Sequence, residues 1–95
     1  MANTLMSIQI IPKTPNGEDV IPYVDEAIDI IDRSGLPYIV SPLETTIEGT
    51  MSELLPLIDQ INRRLMDMNC TSIISQVKFY HGHDVSMAEL VKKYR

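Results

Sequence analysis

The hydrophobic pattern of this chain switches back and forth between a two-residue and a helical period. The order of those switches constrains the fold more than any other feature. Residues 5–11, LMSIQII, alternate, with Met6, Ile8 and Ile10 on one side and Leu5, Ser7, Gln9 and Ile11 on the other. Pro12 and the segment Thr14-Pro15-Asn16-Gly17 end that strand. From Asp19 to Ser34 the period becomes helical. Val20, Ile21, Val24, Ala27, Ile28 and Ile31 share one face, and Asp25, Glu26, Asp29, Asp32 and Arg33 share the other. Pro22 falls in the first turn, where its missing N–H costs little, and Gly35 is the expected stop.

Residues 37–41 and 44–48 read as two short strands of a hairpin turning at Pro42-Leu43. Thr50-x-x-Glu53 has the form of a capping box. The helix it opens has Met51, Leu54, Leu55, Ile58, Ile61, Leu65 and Met68 on its apolar side and Asn69 as its stop. Pro56 lies inside this pattern and is expected to kink the helix or delay its start. In the last strand, residues 72–81, Ile73, Ser75, Val77 and Phe79 alternate with Ile74, Gln76, Lys78 and Tyr80. Ser86-x-x-Glu89 then opens a short helix running through Tyr94.

The order is β-α-β-β-α-β plus a terminal helix. It predicts an α+β, ferredoxin-like fold: a four-stranded antiparallel sheet with two long helices on one face and a short C-terminal helix. At 95 residues it reads as a single domain, 1–95, with room for one modest core.

Composition narrows the partners. A net charge of −5 with no Trp and one Phe argues against nucleic acid, which asks for a basic surface and stacking platforms. No run is apolar enough to span a membrane, and the N-terminus MANTLMSIQIIPK lacks the pattern of a signal peptide. Cys70 is the lone cysteine and cannot form an internal disulfide, so the chain reads as cytoplasmic. It reads as a small core or helix-end thiol, and most of the six methionines are expected to fill core gaps.

The helices need the apolar side of the sheet. That side is expected to hold Met6, Ile8, Ile10, Ile47, Ile73, Val77 and Phe79, with Thr45 and Ser75. The other face then carries Ser7, Gln9, Glu44, Thr46, Glu48, Gln76, Lys78 and Tyr80, mixed with Leu5 and Ile74. Leu5, Ile11, Ile74 and Tyr80 are large for a wet face; they point to a second sheet, another subunit or a ligand there, and fit a homo-oligomer better than a monomer.

Motifs for catalysis are absent: the chain contains no P-loop, GxGxxG, HExxH or GxSxG. An enzyme would have only Glu48, His81 and His83 as acid–base groups, and no spacing places them together. His81-Gly82-His83-Asp84 reads as a polar turn and not a metal site, because metal ligands come from more than one element. The best remaining candidate is the strand of Glu44 to Glu48. The plain reading is a solvated strand face. The functional reading is a small polar ligand held by threonine hydroxyls and a carboxylate, beside Ser7 and Gln9. Such a set suits a heteroaromatic amine and lacks the Lys/Arg cluster that a phosphate favours.

The combination SGLPY at residues 34–38, Ser41-Pro42 and TTIEG at 45–49, with the opening strand ending Ile11-Pro12 and the closing strand of residues 72–80, resembles the thiamine-binding family of small ferredoxin-like proteins. The resemblance implies a subunit assembled into dimers or tetramers through its sheets. It implies binding of thiamine, or its hydroxymethylpyrimidine moiety, and no catalysis or cofactor. Ser34, Gly35, Tyr38, Thr46, Glu48 and Gly49 match the family pattern; Glu44 stands where a small residue is expected. The expected ligand set is Ser7, Gln9, Tyr38, Thr45, Thr46 and Glu48. The alternative is a small regulatory or assembly module whose polar sheet face only mediates oligomerisation.

Overall fold

The computed structural model describes residues 2–95. The elements are β1 (Thr4–Lys13), α1 (Ile21–Arg33), β2 (Tyr38–Val40), β3 (Thr45–Gly49), α2 (Met51–Asp67), β4 (Ser72–His81) and α3 (Met87–Val91). The strands form one antiparallel sheet in the order β2-β3-β1-β4. This is the ferredoxin-like arrangement that the pattern predicts.

The helix boundaries follow local chemistry. Gly35 ends α1 with φ 78°, a left-handed conformation that costs glycine nothing. Asn69 does the same after α2, with φ 70°. At the start of α2 the Thr50 hydroxyl accepts from the Glu53 N–H, and the Glu53 carboxylate accepts from the Thr50 N–H at 2.9 Å. That bond holds the Glu53 carboxyl below its ordinary pKa. Pro56 does not delay the start: α2 is continuous from Met51. The intrahelical bond it forfeits is the one to the Ser52 carbonyl. Ser52 lies in the exposed first turn, where water serves that acceptor.

Met6, Ile8 and Ile47 from the sheet, Tyr23, Ala27 and Ile31 from α1, and Leu54, Leu57, Ile61 and Leu65 from α2 form the main core. Each isoleucine, leucine and methionine among them contributes roughly 1.5–3 kcal/mol by leaving water. Cys70 is buried with them, and burial pushes its thiol pKa up. Ile10, Ile73 and Val77 pack at the core's margin, whereas Phe79, expected inside, is exposed at the end of β4.

The second face departs from expectation at one corner. Beyond β4 the chain folds back across the sheet. Gly82 N–H donates to the Asn3 carbonyl at 2.8 Å, and Val85 N–H donates to the Ala2 carbonyl at 3.3 Å. Val85 and Met87 then close over Leu5 and Ile39 as a second small core. Leu5 therefore needs no second subunit to cover it; the chain's own C-terminal strap does so. Ile11, Ile74 and Tyr80 remain exposed.

The sheet also changes along its length. Thr4 to Ile8 of β1 lie between β3 and β4, but from Gln9 to Lys13 β1 is paired with β4 alone. That step leaves a gap in the sheet beside Gln9.

Candidate ligand-binding site

Two cavities lie back to back at this step. On the helix side, a notch of about 240 Å³ is walled by Ile8 and Ile10 of β1, Ile21, Val24 and Ile28 of α1, and the loop from Val40 to Glu44. Gln9, Ser41, Glu44 and Thr45 add polar groups to this mainly apolar wall. The β2–β3 turn forms the outer rim. It is closed by Ser41 N–H donating to the Glu44 carbonyl at 2.9 Å. Pro42, Leu43 and Glu44 are exposed there.

On the other face a shallower cleft of about 270 Å³ is lined by Leu5, Ser7, Glu44, Thr46, Lys78, Phe79 and Tyr80. The register explains its chemistry. Ser7 lies opposite Thr46 on one side and Lys78 on the other. Leu5 lies likewise between Glu48 and Tyr80. Residues two apart on a strand share a face, so a polar row lies beside a mixed one. Ser7, at the centre, is only 8% exposed. Glu44 lines both cavities, because β3 begins only at Thr45 and the residue before it sits at the open edge.

The expected ligand set is thereby divided. Gln9 and Thr45 line the notch, and Thr45, nearly buried, faces the helices as expected. Ser7 and Thr46 line the opposite cleft. Tyr38 and Glu48 line neither cavity. Tyr38 pairs with Ile47, packs against the main core and donates its hydroxyl to the Asp32 carboxylate at 2.8 Å. That bond pushes the Tyr38 phenol above its ordinary pKa. The Glu48 carboxylate accepts from the Met87 backbone N–H at 2.7 Å and so holds the first turn of α3 on the sheet.

Ser41, Glu44, Lys78 and the α1 residues complete the two linings. Glu44 and Lys78 were visible in the strand alternation. Their place at a cavity was not, because it depends on β3 stopping short of β1. Pro42 was the available signal for that interruption. The apolar face of α1 reads from sequence as core, but only Ala27 and Ile31 of it are buried there; Val20 is exposed, and Ile21, Val24 and Ile28 wall the notch, where the sheet fails to cover them. The histidine turn is also placed. His81 Nδ1 lies 2.8 Å from the Thr4 hydroxyl, and among the described residues no three His, Cys, Asp or Glu side chains converge as a metal site would require.

The fold and its edge notch define a class: a small ferredoxin-like α+β domain with a ring-sized cavity beside the β2–β3 turn. Comparison with known proteins is more specific. A family model described as thiamine-binding protein matches residues 6–95, and the chain belongs to that family. A UPF0045 protein of Clostridium perfringens is 33% identical over 91 residues, covering 95% of each chain. A domain of unknown function from Bacillus cereus has a solved structure that superposes with a TM-score of 0.89. It is 30% identical and covers 99% of this chain and 92% of its own. A solved structure from Thermotoga maritima, described as a candidate thiamine biosynthesis or salvage protein, gives a TM-score of 0.81 at 25% identity. There 98% of this chain and 99% of that one are covered.

Proposed function

We propose that this chain is a cytoplasmic, non-catalytic binding protein for thiamine or its hydroxymethylpyrimidine moiety, working as a homo-oligomer. The observation that carries the reading is the notch. Its walls are isoleucine and valine, which favour a flat ring, and its polar groups include a carboxamide and two hydroxyls. Each of those can both donate and accept. An aminopyrimidine needs that mixture, since its ring nitrogens accept and its exocyclic amine donates. At about 240 Å³ the notch is below the roughly 300–1,000 Å³ of drug-sized sites, which favours a single ring within it. The family to which the chain belongs, and the description of the Thermotoga relative, point to the same ligand class.

Binding without catalysis is supported by what occupies the acid–base groups. His81 is engaged by Thr4, and Glu48 holds Met87. Oligomerisation is supported by the second face: Ile11 and Ile74 are cross-strand partners and are 43% and 62% exposed. Among the described residues the long outer edge of β4 carries no second partner strand, a feature that proteins usually cover. That same patch favours the second reading, a module whose sheet only assembles.

Calorimetric titration with thiamine and with hydroxymethylpyrimidine, alongside thermal melting, separates the two. Ligand at 100 times its dissociation constant should stabilise the fold by about 2.7 kcal/mol. Light scattering should give a dimer or tetramer mass. An assembled protein that neither ligand stabilises would establish the assembly module instead.

A further inference from the structure

The two cavities differ in the charge that each presents. The notch is apolar and has Glu44 at its rim. The cleft behind it shares Glu44 and adds Lys78, with the Ser7 and Thr46 hydroxyls between. Adjacent strands run about 4.8 Å apart, so β3 and β4 are separated by about 10 Å across β1. The two charges thus stand on opposite flanks of the hydroxyl pair. Among the described residues Glu44 and Lys78 form no salt bridge with each other or with any other side chain, whereas Arg33, Arg63, Arg64 and Lys92 each hold a carboxylate. A neutral ring filling the notch would leave both charges unused. A ligand that carries opposite charges in the matching order would engage both.

We propose that the preferred ligand is dipolar: an organic cation lying against Glu44 and carrying a phosphate ester that Lys78 receives with the Ser7 and Thr46 hydroxyls. The proposal rests on the binding reading above, and within it the chemistry is that of a phosphate ester of thiamine. The pyrimidine fills the notch, the cationic ring crosses the sheet edge beside Glu44, and the phosphate reaches the cleft. Lys78 acts as a point charge, and the two hydroxyls donate to phosphate oxygens. One lysine with two hydroxyls replaces the basic cluster whose absence from the sequence argued against a phosphate. The arrangement also gives Glu44 a task that a solvated turn residue would not have.

The test is calorimetric titration of the intact chain with hydroxymethylpyrimidine, thiamine and thiamine monophosphate at low salt. Affinity should rise in that order. Lys78→Met should weaken the monophosphate about ten-fold and leave the other two unchanged; Glu44→Gln should weaken thiamine and its monophosphate about ten-fold and spare hydroxymethylpyrimidine. Added salt should erode the monophosphate's advantage first. Both residues are exposed, so unchanged melting curves will confirm that the variants fold. Equal affinity of the wild type for thiamine and its monophosphate would overturn the proposal while leaving the binding reading intact. So would a Lys78→Met effect shared by all three probes. Failure of all three to bind would overturn both.

Discussion

Glu44, just before β3, and Glu48, near its far end, lie four residues apart in one alternation, and they have opposite fates. Glu48 lies under the C-terminal strap, its carboxylate engaged by the Met87 N–H at 2.7 Å. Glu44 lies at the open end, at the rim of two cavities, with no described side chain to neutralise it. From sequence, Glu48 is the more attractive ligand-reading group, because it sits in the family-like TTIEG. The structure gives it a structural task and leaves Glu44 available. Identical carboxylates in the same alternation are distinguished only by what the rest of the chain lays over them.

The comparison can be broken by substitution. Ile47, between the two glutamates but on the helix-facing side, is fully buried and sets the scale. Ile47→Ala should cost about 2–5 kcal/mol in urea unfolding. Leu5→Ala removes the side chain on which the strap closes. It should cost about 2 kcal/mol, the low end of that range because the small core can collapse. Amide exchange at Val85 and Met87 should rise well before exchange in α1 or α2.

Glu48→Ala leaves the Met87 N–H without its acceptor and should cost about 1–3 kcal/mol, with the faster exchange confined to the strap. Glu44→Ala should change stability by no more than about 0.5 kcal/mol. Equal costs for the two glutamates would end the distinction drawn between them.

The smallest effect belongs to the helical side and serves as its control. The Tyr23 hydroxyl donates to the Glu18 carboxylate at 2.7 Å, and this bond, with burial, pushes its pKa up to about 12. The folded state therefore favours the protonated phenol. Its contribution is whole below the ordinary value near 10 and is lost as pH rises through about 12. Melting temperature should fall across that window more steeply in the wild type than in Tyr23→Phe, while the strap's exchange should not distinguish the two.

Most of the fold was legible because its signals are local. The alternation of residues 5–11 and 72–81, the helical face of residues 20–31, the Thr50–Glu53 box and the stops at Gly35 and Asn69 each act within a few residues. The delayed start expected from Pro56 does not occur, because it depends on whether the freed Ser52 carbonyl lies in an exposed turn, which is a matter of surroundings. The site was legible only in its parts. Ser7, Gln9, Thr45 and Thr46 all line cavities, but two open to the helices and two to the other face. Alternation separates Thr45 from Ser7 and Thr46, but it sets Gln9 with Ser7; only the gap in the sheet lets Gln9 line the notch, and no pattern reveals that a cavity lies on each side.

The sequence by itself determined the order of elements, the inward placing of Met6, Ile8 and Ile47, and most of the core; it did not place Tyr23 and Leu57 there, and it put Val20, Ile21, Leu55 and Phe79 inward although they are exposed. Periodicity and capping are properties of neighbouring residues. Tertiary structure alone decided where β3 stops beside β1, and so where the sheet opens. It also decided that the C-terminal strap would close over Leu5 and engage Glu48 while Glu44 stayed exposed. Those outcomes depend on contacts between segments far apart in the chain, such as Met87 with Glu48 and Gly82 with Asn3. No local pattern encodes such contacts, because each forms only once the intervening elements have packed.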